Sequence, residues 1–143
     1  MPSNEERTRE AFALWNARDF DELLAGYFEP EAVWDVTPIG VPGMEAYRGH
    51  EGIRKFFRDW LDVFPDSAID VDAVETRGEW SIATVIQRVS GGTSGAPVPF
   101  RYFGIGHWID GRLRFVENHV DEAEARHAFA AYVKRQEGNR VPG

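Results

Sequence analysis

One short segment near the C-terminal end of the chain concentrates side chains that can do chemistry. In the run Val-Glu-Asn-His-Val, Glu117 and His119 flank Asn118, and a histidine titrates near neutrality, so it can act as a general acid or base. Tyr102 can donate a hydrogen bond to a ligand oxygen. Arg88, if buried, must pair with an anion of the protein or of a ligand. These residue types suit proton transfer on a small organic molecule.

Other chemistries lack the residues that they require. The sequence has no cysteine, which excludes a disulfide framework, a thiolate zinc site and a cysteine nucleophile. No set of His, Asp and Glu has a convincing metal-ligand spacing, so we expect neither a metal nor another cofactor. The run Gly91–Gly95 lacks the lysine and the strand-loop-helix setting of a phosphate cradle, and we interpret it as a hairpin loop.

Composition restricts the partners and the compartment. The formal charge of −8 over 143 residues disfavours nucleic acid and anionic membrane surfaces as partners. Ten Phe, five Trp and four Tyr suit a core or the wall of an apolar pocket. The charged N-terminal residues precede no long apolar run, so we expect neither a signal peptide nor a membrane span, and a cytoplasmic protein. We expect one domain over 1–143, ordered over about 4–135, with a flexible tail over 137–143.

Capping signals and apolar periodicity predict four helices. The first begins at a capping box formed by Ser3 and Glu6, and the second begins after Asp19. The third runs from about His50 to Phe64 with one wide apolar face. The last follows Asp121, which suits its N-cap.

The strands cluster along the chain. We expect a short strand at 32–38 and then a four-strand meander from about Ile69 to Val120, with a hairpin turn at Asp110-Gly111. Because the strands run together instead of alternating with helices, the fold class is α+β. Gly104 and Gly106 interrupt a long strand and favour bending of the sheet.

Several ordered segments carry a family resemblance. They are Asn16–Asp21, Phe28–Trp34, Tyr47–Phe57 with its run Tyr-Arg-Gly-His-Glu-Gly-Ile, Asp110–Leu113 and Asp121–Ala125. Together they resemble the SnoaL-like group of the nuclear transport factor 2-like (ketosteroid isomerase-like) superfamily over about residues 4–130. The resemblance implies a cone-shaped barrel, in which a strongly curved mixed or antiparallel sheet packs on three N-terminal helices, plus a C-terminal helix. It also implies an apolar pocket and, usually, a homodimer.

The resemblance implies no single chemistry, since similar proteins include steroid isomerases, polyketide cyclases, dehydratases, epoxide hydrolases and non-catalytic carriers. The positions that carry the ketosteroid isomerase acids and tyrosine hold Val36, Ala11, and Gly104 or Gly106 here, and none of these side chains can transfer a proton. The acid that SnoaL-like cyclases carry near the end of the last strand is replaced by Asn118.

Strand alternation, anchored on the resemblance, assigns the side chains of the pocket. The predicted lining is Phe12, Trp15, Tyr27, Trp34, Val36, Phe56, Trp60, Ile82, Thr84, Ile86, Gly104, Gly106, Trp108, Arg114, Val116 and Val120. The polar candidates for catalysis on the same face are Arg88, Tyr102 and Asn118, with Asp35, His119 and Asp121 in reserve. The two glycines either leave room for a ligand or only curve the sheet. Asp35 has the parity opposite to Val36 and enters the pocket only if the register slips by one residue.

The same alternation places Phe103, Ile105, His107, Phe115, Glu117 and His119 on the convex face. Such an aromatic row would be exposed in a monomer, so we expect it to bury against a second subunit. A register shifted by one residue would instead bring Glu117 and His119 into the pocket.

Two functional hypotheses stay open. The first is a cofactor-free cyclase, isomerase or dehydratase acting on a small hydrophobic, aromatic or polyketide-like molecule. The second is a non-catalytic module that binds such a molecule. A carboxylate or imidazole inside the pocket would favour the enzyme, and a pocket of aromatics, Arg88 and Asn118 would favour binding.

Overall fold

Four helices and six strands make up the protein over residues 2–40, 42–43, 45–90 and 97–139, the part of the chain that a computed structural model describes. The helices are α1 (Asn4–Asn16), α2 (Phe20–Tyr27), α3 (Gly49–Val63) and α4 (Glu122–Asn139). The strands are β1 (Phe28–Asp35), β2 (Ala46–Arg48), β3 (Ala68–Arg77), β4 (Trp80–Ser90), β5 (Pro97–Ile109) and β6 (Arg112–His119), and a 3₁₀ turn spans Thr37–Ile39. The predicted α+β class is confirmed.

All six strands belong to one mixed sheet in the order β2-β1-β6-β5-β4-β3. β1 runs parallel to β6, with Trp34 opposite Val116, and the other neighbours are antiparallel. The sheet is open and only slightly curled, less than the strong curvature predicted. The pairing of β4 with β5 continues without a bulge through Gly104 and Gly106.

The helix starts follow the predicted capping signals. The Glu6 amide donates to Ser3 Oγ at 3.1 Å, and the Ser3 amide donates back to Glu6 Oε1 at 3.5 Å. The carboxylates of Asp19 and Asp121 each accept from the backbone amide three residues further on, at 3.4 and 2.8 Å. These bonds satisfy amides that have no partner inside the helix.

The two faces of the sheet are covered by different helices. α1 and α3 pack on one side, which we call the inner face, and α4 packs on the opposite side, the outer face. The outer-face core is Trp80, Ile82, Phe103, Ile105, Ala125, Phe129 and Val133, with Phe115 and Tyr132 partly buried against it. The aromatic row that we expected to meet a second subunit is therefore covered by the chain's own last helix. The homodimer itself stays a prediction.

Some boundaries differ from the expectation. The short edge strand β2 lies in a region interpreted as a loop, and α4 continues to Asn139, three residues into the predicted tail. The expected hairpin loop Gly91–Gly95 and residues 140–143 of that tail lie outside the described residues. Across the described ranges, no helix combines the length and the apolar character needed to cross a membrane.

Candidate functional site: an aromatic cavity on the inner face

A cavity of about 670 Å³ lies between the inner face of the sheet and the helices. Its volume is within the range of roughly 300–1,000 Å³ typical of small-molecule sites. Its lining is Thr8, Ala11, Phe12, Trp15, Leu23, Phe28, Trp34, Ile39, Pro42, Gly43, Tyr47, Phe56, Phe57, Asp59, Trp60, Val63, Phe64, Ile69, Ser81, Ala83, Gln87, Phe100, Tyr102, Gly104, Ile105, Gly106, Trp108, Leu113, Val116, Asn118 and Val120.

The exposed members of this lining mark the mouth. Val63 at the end of α3 is 67% exposed and Val120 after β6 is 50% exposed. Pro42, Gly43 and Asp59 are also exposed. The mouth therefore lies between the end of α3, the loop before β2 and the end of β6. Apolar side chains at this opening suit the entry of an apolar molecule.

Packed aromatic rings form much of the wall. Trp34 stacks on Phe28 with ring centroids 5.8 Å apart and meets Phe57 edge-on at 5.5 Å. Phe56 stacks on Tyr47 at 4.9 Å, and Trp60 lies 6.3 Å from Phe100 across the cavity's helix and sheet sides. Rings held in such contacts present rigid apolar surfaces, which favour flat apolar ligands.

Four buried polar atoms in this wall have no hydrogen-bond partner among the described residues. They are Nε1 of Trp34, Nε1 of Trp60, Nε2 of Gln87 and Oδ1 of Asn118. A buried polar atom without a partner costs about 1–3 kcal/mol. A bound molecule that supplies a partner, directly or after a side-chain rotation, recovers part of that free energy. None of the four atoms carries a charge.

Tyr102 adds a neutral hydroxyl to the same surface. It lies on the inner face and is buried, and burial raises the pKa of its phenol above the ordinary value of 10.0. The phenol therefore keeps its proton at neutral pH. It can donate a hydrogen bond to a ligand oxygen, but it cannot act as a base.

The two glycines of β5 have different surroundings. A Cβ on Gly104 would lie 3.6 Å from Asn118 Oδ1, an ordinary contact, whereas a Cβ on Gly106 would lie 2.9 Å from Leu113 Cδ2 and 3.0 Å from Ser81 Oγ. Ser81 also accepts a hydrogen bond from Trp108 Nε1 at 3.1 Å. Packing therefore disfavours a side chain at Gly106, while Gly104 has room for a Cβ beside the buried Asn118 amide.

Ionisable groups are scarce in the cavity. Among the described lining residues there is no Lys, Arg or His, and the single carboxylate is that of Asp59 at the mouth. Its Oδ2 pairs with Lys55 Nζ at 2.7 Å. Within the described ranges, no group of three or more His, Asp and Glu is arranged to hold a metal ion. Apart from Asp59 at the mouth, the described wall offers hydrogen bonds and aromatic contact without charge.

Of the six candidate catalytic residues, the structure brings Asn118 and Tyr102 together in the cavity wall and places the other four elsewhere. Arg88 lies outside and pairs with Asp70 at 2.8 Å, where both side chains are more than half exposed. The Asp35 carboxylate accepts bonds from the amide and hydroxyl of Thr37, at 2.9 and 2.7 Å.

The remaining two candidates lie on the side of α4. Asp121 caps that helix. His119 Nε2 lies 2.7 Å from Glu117 Oε2, and Glu117 Oε1 accepts a hydrogen bond from the Tyr132 hydroxyl at 2.8 Å. Glu117 and His119 are both buried on the outer face, as the unshifted register predicts. Burial and, secondly, the bond to Glu117 raise the pKa of Tyr132 to about 12.

Ten of the predicted lining positions lie in the cavity wall, and those on β4 do not. The positions found in the wall are Phe12, Trp15, Trp34, Phe56, Trp60, Gly104, Gly106, Trp108, Val116 and Val120. Ile82 pairs with Ile105 on the outer face and Ala83 pairs with Gly104 on the inner face, so Thr84, Ile86 and Arg88 point away from the cavity. The inward-facing set on β4 is therefore shifted by one residue from the predicted set.

Three further positions need correction. Tyr27 lies outside the wall, where its hydroxyl donates to Glu10 at 2.8 Å and Arg7 covers its ring. Val36 is fully buried in the inner-face core without lining the cavity. A bulge after His107 changes the pairing of β6, so Leu113 lines the cavity while Arg114 pairs with Glu29 at 2.9 Å.

Gln87 is the main polar residue that the sequence interpretation missed. It is 3% exposed and lies in the wall. The sequence feature that could have indicated it is an amide at the end of the largely apolar run Ile-Ala-Thr-Val-Ile-Gln. A buried polar side chain needs a hydrogen-bond partner, so an amide in a buried strand is a candidate ligand-binding residue.

Comparison with known proteins gives a family. A model of the SnoaL-like domain matches residues 8–116, about three-quarters of the chain. This protein is therefore a member of the SnoaL-like family. No curated protein matches the sequence.

Solved structures share the fold at low sequence identity. One is TerC, co-crystallised with polyporic acid, with a TM-score of 0.72, 20% identity, and coverage of 88% of this chain and 96% of TerC. A nuclear transport factor 2-like protein of unknown function from Burkholderia pseudomallei has a TM-score of 0.70, 22% identity, and coverage of 90% and 98%. A provisionally assigned polyketide cyclase from Acidithiobacillus ferrooxidans has a TM-score of 0.69, 13% identity, and coverage of 92% and 97%. Such likeness establishes the fold, while function depends on the site.

Proposed function

We propose that the protein binds a small, largely apolar molecule of aromatic or polyketide-like type in the inner-face cavity. The observation that carries this proposal is a cavity of about 670 Å³ whose wall is rich in aromatic rings and whose mouth carries the apolar side chains of Val63 and Val120. Stacked rings such as Trp34 on Phe28 and Phe56 on Tyr47 are suited to flat ligands. The co-crystallisation of TerC with polyporic acid agrees with a ligand of this kind.

Binding has stronger support than catalysis by a side-chain acid and base. A general base must come within hydrogen-bond reach of the proton that it removes. Among the described lining residues, Asp59 alone is a carboxylate and none is a histidine. Asp59 is exposed at the mouth and is paired with Lys55. The described interior thus offers hydrogen-bond donors and acceptors but no base.

A cyclase-type reaction is the second candidate. It is favoured by the Tyr102 phenol, which stays protonated because burial raises its pKa. Such a phenol, together with the NH₂ group of Asn118 after rotation of the amide, can donate to a carbonyl oxygen on which negative charge develops. The provisionally assigned polyketide cyclase with the same fold supports this candidate by analogy only.

Native mass spectrometry of the purified protein tests the binding proposal. We expect an adduct in the mass range of a small organic molecule, and we expect neutral aromatic compounds to raise the melting temperature. Gly104→Val is the matched variant that should lose binding. A Cβ at this position makes only an ordinary contact, so the protein should still fold, while the larger side chain occupies part of the cavity. No adduct, together with no change in melting temperature across an aromatic compound set, would contradict the proposal.

The same sample distinguishes the two candidates. The released ligand is incubated with fresh protein and followed by chromatography. An unchanged retention time supports binding, and a new isomer or dehydration product supports cyclisation. In the second case Tyr102→Phe should slow the conversion while the ligand still binds.

A homodimer is proposed separately, on the family resemblance alone. Because α4 covers the outer-face aromatics, such a dimer would have to use the exposed side of α4 or the uncovered part of the outer face. The native mass spectrum reports its presence or absence directly.

A further inference from the structure

Three uncharged polar residues lie on a diagonal across the inner face of the sheet. Asn118 in β6 pairs with Gly104 in β5. Tyr102 is two residues before that glycine and pairs with Val85 in β4, and Gln87 is two residues beyond Val85. Each step therefore moves one strand sideways and two residues along, a distance of about 7–8 Å. We call Asn118, Tyr102 and Gln87 the polar diagonal, and it spans roughly 15 Å by the same spacing.

All three residues are buried in the cavity wall, with exposed fractions of 5% for Asn118, 6% for Tyr102 and 3% for Gln87. Both ends have unmet hydrogen-bonding capacity, since Asn118 Oδ1 and Gln87 Nε2 have no partner among the described residues. The positions between and beside them on the inner face are apolar or glycine, namely Ala83, Val85, Phe100, Gly104 and Val116. The diagonal is thus a narrow polar line on an apolar surface.

The charge of the wall restricts what can lie on this line. No cationic side chain is present among the described lining residues, and the nearest carboxylate in that set, Asp59, is at the mouth. An anionic ligand would lose its hydration without gaining a counter-charge, which costs several kcal/mol for a buried ion. A hydrocarbon would leave the buried amides unpaired.

We propose, building on the proposed function, that the polar diagonal selects uncharged ligands with oxygen atoms along one edge. Tyr102 donates to such an oxygen, and the two amides can each donate or accept after rotation. Carbonyl and hydroxyl oxygens are therefore both accepted. The cavity should bind such ligands more tightly than hydrocarbons, which lack the oxygens. It should also bind them more tightly than carboxylates of the same skeleton, which carry an unpaired charge.

Three naphthalenes of one skeleton test this selection. They are dimethyl 2,6-naphthalenedicarboxylate, the corresponding dicarboxylate and 2,6-diisopropylnaphthalene, titrated at pH 7 and followed by tryptophan fluorescence. Wild-type protein is expected to bind the diester at least tenfold more tightly than the dicarboxylate. The double variant Asn118→Leu/Gln87→Met removes both ends of the diagonal and should weaken diester binding by about tenfold, at roughly 2- to 10-fold for each hydrogen bond. Binding of the hydrocarbon should change by less than about twofold.

Thr84→Val is the control, because Thr84 is in the same strand as Gln87 but faces away from the cavity, and it should leave all three affinities unchanged. Dicarboxylate binding as tight as diester binding would overturn the polar diagonal and leave the proposed function standing. An equal effect of the double variant on the affinities for the diester and the hydrocarbon would also overturn the polar diagonal and leave the proposed function standing. If neither neutral compound binds wild-type protein, the proposed function is overturned, and the diagonal with it.

Discussion

Asn118 and Gly104 are register partners on β6 and β5, and Asn118 Oδ1 lies 3.6 Å from the position that a Cβ on Gly104 would occupy. Because the glycine has no side chain, there is room for a Cβ beside the buried amide. Two residues along β5, Gly106 has no such space, since Leu113 and Ser81 fill it. One strand therefore holds one glycine that shapes the cavity and one that packing requires.

This difference predicts opposite outcomes for the same substitution. Gly104→Ala should leave the free energy of unfolding within about 0.5 kcal/mol of wild type, because the new Cβ makes an ordinary contact. Gly106→Ala should destabilise by about 1–3 kcal/mol, as overpacking does. Urea denaturation of the two variants measures both values. Equal free energies for the two variants would refute the assigned packing.

Arg88 is expected to contribute nothing to ligand binding. It forms an exposed ion pair with Asp70, and such pairs contribute about 0–1 kcal/mol to stability. Arg88→Ala should therefore leave the affinity for a neutral aromatic ligand unchanged in a fluorescence titration. A large loss of affinity, with Asp70→Asn as the control that breaks the same ion pair, would place Arg88 at the ligand instead.

The Glu117–His119–Tyr132 cluster is expected to support α4, not the cavity. Tyr132→Phe removes the hydrogen bond to Glu117 Oε1, and bonds to charged acceptors contribute roughly 1.5–3 kcal/mol. We expect a loss of about that size in urea denaturation with no change in ligand affinity. Reduced affinity at unchanged stability would show that this cluster acts on the ligand.

Stability should fall as the pH rises above about 10. Burial raises the pKa of Tyr102, and burial with the bond to Glu117 raises that of Tyr132 to about 12, from an ordinary value of 10.0. Between the ordinary and the raised pKa, the unfolded chain loses the phenolic proton while the folded chain keeps it, so the free energy of unfolding decreases with pH. Below about pH 9 both groups are protonated in the folded and the unfolded chain and contribute almost no slope.

Urea denaturation at pH 8 and pH 11 measures this slope, and Tyr102→Phe should make it shallower. A slope identical to that of wild type in Tyr102→Phe and in Tyr132→Phe would contradict the burial of these phenols.

The helices and the fold class could be predicted from sequence, because capping pairs such as Ser3 with Glu6 and the one-sided apolar face of α3 depend on local spacing. The wall positions were assigned by strand alternation anchored on the family resemblance. The face of the sheet to which each β4 side chain points could not be predicted in this way. Both of its faces are buried, with Ile82 under α4 and Val85 in the inner-face core. An apolar run buried on both sides shows no alternation from which to infer its parity.

The packing of α4 was also beyond the sequence interpretation. Its apolar positions Ala125, Phe129 and Val133 indicate a buried helix face, but not the surface that this face meets. The structure shows that it meets Phe103 and Ile105 on the outer face. A helix pattern specifies which residues are buried, and tertiary contacts alone specify their partner.

The location of the ligand is the central claim, and the indole N–H signals of the five tryptophans test it most directly. Trp15, Trp34, Trp60 and Trp108 line the cavity, whereas Trp80 lies on the outer face between His107 and Tyr132. Titration of ¹⁵N-labelled protein with dimethyl 2,6-naphthalenedicarboxylate should shift the four cavity signals and leave that of Trp80 in place. A shift of the Trp80 signal alone, or of none of the five at saturating ligand, would contradict binding in the inner-face cavity.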